Sequence, residues 1–310
     1  MFSGQGSQHF QMGRALFDDE PVFRDCMLRL DGLVRELSGR SVIDTLYCLG
    51  QPKGALFDRT AVTHPAIFMV EYSLAQSLMR AGVVPDIALG ASLGSFAAAA
   101  VAGIVGVEDA LTAVIRQATA FEETCKPGGM LAVLADPALY DEDFLSTKAE
   151  LAGVNFASHF VVSAQQAQFP EIEAWFRERE VTYQRLPVSF AFHSQWIDEA
   201  RVPFESATRC MRYRAGRLPL MRCDDATMAA DLPDNYFWGV VRKPIRFREA
   251  ISRLEREGAR RYIDVGPSST LATFLKYGLP AASTSKVHPI LTPYGQDRRN
   301  LAAVLASTRH

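Results

Sequence analysis

The chain has 310 residues, 48% hydrophobic and 22% charged, a composition that supports one large core or a main domain with a smaller insert. Its net charge of −2 gives no overall field for nucleic acid or an anionic membrane, and no apolar run is long enough to span a bilayer. Five scattered cysteines without a C-x-x-C pair argue against a disulfide framework and a zinc site, and no signal peptide opens the sequence, so a cytoplasmic protein is expected.

In chain order, "MFSGQGSQHFQMG" turns to glycine at once and leaves little room for a first strand. "PVFRDCMLRLDGLVREL" has helical spacing, and "PAIFMVEYSLAQSLMRAG" is predicted as a helix opened by Pro65 and closed near Gly82. "VVPDIALG" is predicted as a short buried strand and "SFAAAAVAGI" as the helix leaving it, an order that implies an α/β layer with a parallel sheet. From Pro127 the texture changes. "MLAVLA", "LAGVNFA", "HFVVSA" and "RLPVSFAF" are strand-like, with helical "FPEIEAWFRERE" among them. Residues 128–190 are therefore expected to form a small α+β insert, with 1–127 and 191–310 forming the larger α/β unit. The larger unit resumes with "WIDEARVPFESATRCM" and closes with the strand "RRYIDVG" and the helix "STLATFLKYG".

Gly90-Ala91-Ser92-Leu93-Gly94 has the pattern G-x-S-x-G between the predicted strand and helix. Such an elbow lifts the serine hydroxyl clear of the sheet, its glycines avoid clashes, and the following helix directs free N–H groups toward developing negative charge. A serine nucleophile needs a base. The candidates are His9, His64, His159, His193, His288 and His310. His310 is terminal and His288 precedes a proline in a predicted loop. His193, at the end of "LPVSFAF", leads, with His64 and His159 as alternatives.

Ordered motifs run nearly end to end: "GQGSQ" at 4–8, "HPAIFMVEYSLA" at 64–75, "GASLG" at 90–94, "AFHS" at 191–194, "VVRKPIRF" at 240–247 and "DVGPSSTL" at 264–271. Together they resemble the malonyl-CoA:acyl-carrier-protein acyltransferase family, which includes the acyltransferase domains of polyketide synthases. The resemblance implies a large α/β-hydrolase-like subdomain carrying a small ferredoxin-like one. It implies Ser92 as nucleophile and His193 as general base, with an oxyanion hole made by the backbone N–H groups of Gln5 and Leu93. It also implies a main-chain carbonyl, placed by alignment at Val240, that steadies the histidine in a dyad without a carboxylate. Ala91, Gln117 and Phe192 are then expected to line the acyl pocket.

Two positions depart from that pattern. Ala91 stands where the family has histidine before the serine. Gln117 stands where malonyl transferases carry an arginine that clamps the malonyl carboxylate. Helix geometry distinguishes Gln117 from its neighbour Arg116: Ala110, Val114, Ala118 and Phe121 share one apolar face with Gln117 at or within its edge, while Arg116 lies about 100° further round. Hydrogen bonds to charged groups contribute about 1.5–3 kcal/mol, and a buried charge without its partner costs a few kcal/mol more. Glutamine in place of arginine therefore lowers the preference for malonyl by roughly two orders of magnitude.

Glutamine here resembles the acyl hydrolase branch of trans-acyltransferase polyketide systems, which removes stalled acyl groups from carrier proteins. The expected activity is hydrolysis of short neutral acyl groups (acetyl, propionyl, butyryl) from acyl carrier protein. The alternatives are a trans-acting acyltransferase for malonyl or another unit, and a silent carrier-docking module. Between Arg201 and Arg261, 14 Lys/Arg face 8 Asp/Glu, and Arg242, Lys243 and Arg246 in this stretch are candidates for docking an acidic carrier protein. No metal and no cofactor beyond the carrier's own phosphopantetheine arm is implied, and a monomer is expected.

Overall fold

The structure, a computed structural model, describes residues 1–307; His310 lies outside the described residues. Its strands are β1 (Ala88–Gly90), β2 (Gly128–Leu134), β3 (Glu150–Phe156), β4 (His159–Gln165), β5 (Thr182–Arg185), β6 (Leu220–Arg222), β7 (Met228–Ala229), β8 (Arg261–Asp264) and β9 (Lys286–Pro289). The larger subdomain is organised around parallel pairs, β1 with β6 and β8 with β9, and β7 runs antiparallel to β6 at one edge.

Met1–Ser3 joins the two pairs. The Met1 nitrogen donates to the Ile263 carbonyl at 2.7 Å, and the Val265 N–H donates to the Met1 carbonyl at 3.1 Å. On the other side the Phe2 N–H donates to the Leu89 carbonyl at 2.8 Å, and Ala91 N–H donates to Phe2 carbonyl at 3.0 Å. Met1–Ser3 therefore bridges the two parallel pairs as a strand would.

Helices cover this sheet. The helix Thr60–Arg80 is buried around most of its circumference, as an apolar helix in a large core must be, and packs between the helices Pro21–Ser38 and Val107–Thr124. It begins five residues before the expected start at Pro65. A proline at the sixth helical position forfeits only the bond to the Ala61 carbonyl, so the helix runs through it. The stretch Trp196–Met211, with which the larger unit resumes, holds most of a 3₁₀ turn, Gln195–Ala200, and a short helix, Arg201–Thr208.

The insert has the order β2, helix Asp143–Lys148, β3, β4, helix Phe169–Glu178, β5. Its sheet order is β3-β4-β2-β5 with every pair antiparallel, which is the ferredoxin-like split βαβ arrangement. Leu131, Val133, Phe160, Val162 and Phe176 form its separate core. "RLPVSFAF" is not the strand expected from its composition. β5 ends at Arg185, and after one further bond from the Leu186 N–H to the Met130 carbonyl the chain leaves the sheet at Pro187, which has no N–H to offer. His288 lies in β9 rather than in a loop.

The elbow glycines are required by packing. A Cβ on Gly94 would lie 2.2 Å from the Phe2 carbonyl oxygen, and one on Gly90 would lie 2.4 Å from the Ser95 Cα. Gly94→Ala should therefore destabilise the fold by about 1–3 kcal/mol, the usual cost of overpacking. Gly54→Ala, at an exposed position with nothing within 4 Å of the new carbon, should stay within about 0.5 kcal/mol of wild type. Urea denaturation midpoints test the pair; equal midpoints would contradict the packing argument.

Candidate active site

Ser92 follows β1 with φ of 53°, in the left-handed region that a non-glycine residue occupies only when its surroundings hold it there. The turn is closed by the Gly94 N–H to the Ala91 carbonyl and the Ser95 N–H to the Ser92 carbonyl, at 3.0 and 2.9 Å. Ser92 remains partly exposed, so its hydroxyl is reachable. The helix Gly94–Ala102 begins directly beyond it.

His193 meets the serine, with Nε2 at 2.8 Å from the Ser92 Oγ. It too is left-handed, with φ of 60°. Three bonds hold that turn: the His193 N–H to the Val241 carbonyl at 2.8 Å, the Ser194 hydroxyl to the Ala191 carbonyl at 2.5 Å, and the Ser163 hydroxyl to the Phe192 carbonyl. Ser163 belongs to β4, so the small subdomain braces the histidine while the large one presents the serine.

The Nδ1 of His193 donates to a main-chain carbonyl at 2.7 Å, and that carbonyl belongs to Lys243, not to Val240. Val240 is inside the helix Tyr236–Arg242. Lys243 follows the helix and precedes Pro244, whose ring disfavours the helical conformation for the residue before it. Lys243 is accordingly extended, at φ −80° and ψ 153°, and its carbonyl is free to turn toward the imidazole. The bond fixes the tautomer: Nδ1 carries the proton, so Nε2 presents a lone pair and the Ser92 hydroxyl donates to it. Burial lowers the His193 pKa to about 4; the Lys243 carbonyl opposes that shift and the nearby Arg242 charge adds to it. At neutral pH the imidazole is neutral, the form that accepts a proton.

The "GQGSQ" loop lies against the serine. A Cβ on Gly4 would meet the Ser92 Cβ at 2.8 Å, so the backbone there approaches as closely as glycine permits. The Gln5 side chain donates from Nε2 to the Thr63 hydroxyl at 3.2 Å and accepts at Oε1 from His64 Nε2 at 2.8 Å. Among the described residues, the backbone N–H groups of Gln5 and Leu93 donate to no protein acceptor.

Glu71 escaped the sequence reading. Buried midway along the helix Thr60–Arg80, its Oε1 accepts from the Ser3 N–H at 2.6 Å and the Ser3 hydroxyl at 2.8 Å, tying down the start of the loop. Burial raises its carboxyl well above the ordinary range, and the Ser3 hydrogen bonds oppose that rise. The signal was available: a lone acidic residue in an otherwise apolar helix needs buried partners.

Gln117 is 0% exposed and Arg116 points to solvent, the orientation expected from helix phase. One turn on, Phe121 stacks edge-on with Phe192 at 5.0 Å, and the His64 ring lies 5.6 Å from Phe192 and 6.3 Å from Phe121. Ala91 is buried beside the elbow. Among the described residues no lysine or arginine is buried.

The other histidines have separate roles. His9 contacts the Phe10 and Pro267 carbonyls, and His159 pairs with Asn155 in the small subdomain beside Phe156 and Phe274. The basic residues considered for docking are engaged with carboxylates. Arg242 pairs with Asp198 at 2.7 Å and Glu150 at 3.6 Å, Lys243 with Asp224 at 3.3 Å, and Arg246 with Glu249 at 3.5 Å. Each of these three side chains thus has a carboxylate partner within the fold.

A serine on a strand-to-helix elbow, bonded to a neutral histidine steadied by main chain, belongs to the α/β proteins built for acyl-group chemistry. Comparison with known proteins narrows the class: the chain belongs to the acyl transferase domain family, which matches residues 1–310. It is 43% identical over 305 residues to the polyketide biosynthesis acyltransferase homolog BaeD of Bacillus velezensis, covering 98% of this chain and 94% of that protein. With the homolog PksD of Bacillus subtilis it shares 40% over the same span and coverage. The acyltransferase domain from the second module of the salinomycin polyketide synthase superposes with a TM-score of 0.88 at 27% identity, over 99% of this chain and 72% of that one. A loading acyltransferase of the avermectin synthase shares the fold, with a TM-score of 0.91 at 24% identity over 100% and 98% of the two chains.

Because the depressed pKa keeps His193 neutral down to about pH 4, its base form persists well below the range of an ordinary histidine. The rate of Ser92 labelling by a fluorophosphonate should be flat from pH 8 to about 5 and fall with a midpoint near 4. A midpoint near 6.5 would show that the imidazole is not buried as described, and Ser92→Ala should abolish labelling altogether.

Proposed function

We propose that this protein hydrolyses short, uncharged acyl groups from acyl carrier protein thioesters, clearing stalled units in polyketide biosynthesis. The observation that carries the reading is the fully buried, neutral Gln117, one turn before Phe121 on the helix Val107–Thr124, with no buried lysine or arginine among the described residues. A malonyl carboxylate entering such an interior would lose its water without gaining a partner charge.

The chemistry follows from the Ser92–His193 pair. His193 Nε2 takes the hydroxyl proton as Ser92 Oγ attacks the thioester carbonyl, and the Gln5 and Leu93 N–H groups receive the oxyanion. The tetrahedral intermediate collapses, the C–S bond breaks, and the imidazolium returns its proton to the departing phosphopantetheine thiol. In the second half a water molecule gives a proton to Nε2 and attacks the acyl-serine. The C–O bond to Ser92 breaks, the serine recovers its proton, and the free acid leaves. No metal or redox group enters.

A second reading, transfer of the acyl group to another carrier thiol, shares the first half. It is favoured by the names of the Bacillus relatives, which are called acyltransferase homologs. Acetyl- and butyryl-carrier protein, offered with and without a second carrier, separate the two. Free acid released without an acceptor supports hydrolysis, while an acylated acceptor with little acid supports transfer. Malonyl-carrier protein, the comparator, should react at least tenfold more slowly than acetyl. Gln117→Arg should raise malonyl acceptance by about 10- to 100-fold, the worth of a charged hydrogen bond of about 1.5–3 kcal/mol, and lower acetyl turnover. Unchanged selectivity would remove Gln117 from the pocket.

A further inference from the structure

The interior beside Ser92 and His193 contains polar atoms that the fold leaves without a hydrogen-bond partner among the described residues. They are Nδ1 of His64 and both ends of the Gln117 amide, with the Thr60 hydroxyl in addition. Thr60 and His64 are four residues apart on one helix and so share a face. Gln117 is one turn from Phe121 on the helix packed against it, and Phe121 and Phe192 both adjoin the His64 ring. His64 is 2% exposed and Gln117 0%. Native interiors pair the large majority of such groups, so two unpaired side chains around one aromatic cluster next to a reactive serine point to a ligand that completes them.

The donors and acceptors define that ligand. His64 Nε2 donates to the Gln5 Oε1, whose amide nitrogen donates in turn to Thr63. Nδ1 of His64 is therefore a bare acceptor, and burial lowers the ring's pKa to about 3, so it stays neutral. Gln117 adds one acceptor oxygen and one NH₂ donor. A carboxylate, which only accepts, could take the Gln117 NH₂ and the Thr60 hydroxyl but would face the lone pairs of His64 Nδ1 and Gln117 Oε1. A plain hydrocarbon would leave every group unmatched. A hydroxyl both donates and accepts: its O–H can go to His64 Nδ1 or Gln117 Oε1 while its oxygen receives the Gln117 N–H.

We propose that the acyl pocket is built for acyl chains bearing an uncharged hydroxyl, with Gln117 and His64 as the specificity-determining pair. This deepens the function proposed above and rests on Ser92 forming an acyl-enzyme. It adds that hydroxyacyl thioesters, the products of reducing a ketoacyl thioester, are preferred over their saturated counterparts.

The test offers the enzyme an equimolar mixture of butyryl and 3-hydroxybutyryl thioesters of N-acetylcysteamine. Intact-mass spectrometry reads the adduct on Ser92 and chromatography reads the acid released. The hydroxybutyryl adduct should form about three- to tenfold faster, as one added hydrogen bond allows. In Gln117→Leu the ratio of the two substrates should fall to one or below, whatever the absolute rate. A wild-type ratio at or below one, a ratio unchanged in Gln117→Leu, or no adduct with either thioester would overturn the proposal. Adducts formed with the expected preference but released only to an acceptor thiol would overturn hydrolysis and leave the hydroxyl preference standing.

Discussion

The hydrogen bond from His193 Nδ1 to the Lys243 carbonyl is the contact on which the site depends. It settles which imidazole nitrogen carries the proton, and thereby whether the lone pair faces the serine. A backbone carbonyl performs this task without bringing a second charge into a buried site. Without a carboxylate beside it, the buried ring stays neutral, and its pKa falls instead of rising. A main-chain acceptor also frees the side chain at that position from any chemical requirement, so Lys243 is able to pair outward with Asp224.

The two subdomains divide the labour of holding strained residues. Ser92 is kept left-handed by the packing of β1 and its following helix against Met1–Ser3, where glycines remove every atom that would interfere. His193 is kept left-handed by Ser163 from the small sheet and by Val241 from the large subdomain. A Cβ on Gly128 would lie 2.9 Å from Ala191, so the first strand of the insert presses directly on the segment that carries the base. The small subdomain is therefore part of the site's support and not an appendage. The burial of Glu71 serves the same end on the other flank, where it anchors the loop before Gln5.

The polarity of the interior around Gln117 and His64 follows from the same economy. An arginine there would require a carboxylate guest at all times or suffer unpaired burial. Gln117 and the neutral His64 relax that demand and replace it with a finer one, a match of donors to acceptors. Under the proposed function, this shift from charge to hydrogen-bond pattern would change which acyl groups are favoured beside the Ser92–His193 pair.

The sequence alone determined the serine elbow and the inward phase of Gln117, because each is written locally, while it left His193 leading among three candidate histidines. Glycines mark the elbow, apolar period marks the strands and helices, and 100° per residue separates Gln117 from Arg116. Where the expectation failed, the deciding partner was distant in sequence. "RLPVSFAF" has the composition of a strand, yet Pro187 and the pull of the site take it out of the sheet. Val240 was chosen by alignment, while Pro244 turns the Lys243 carbonyl toward a ring 50 residues away. Glu71 and Ser3, 68 residues apart, meet only once the sheet is stitched. The unpaired state of His64 and Gln117 was equally invisible to the sequence. Whether a buried polar atom has a partner depends on three-dimensional neighbours, and only the packed tertiary structure supplies or withholds them.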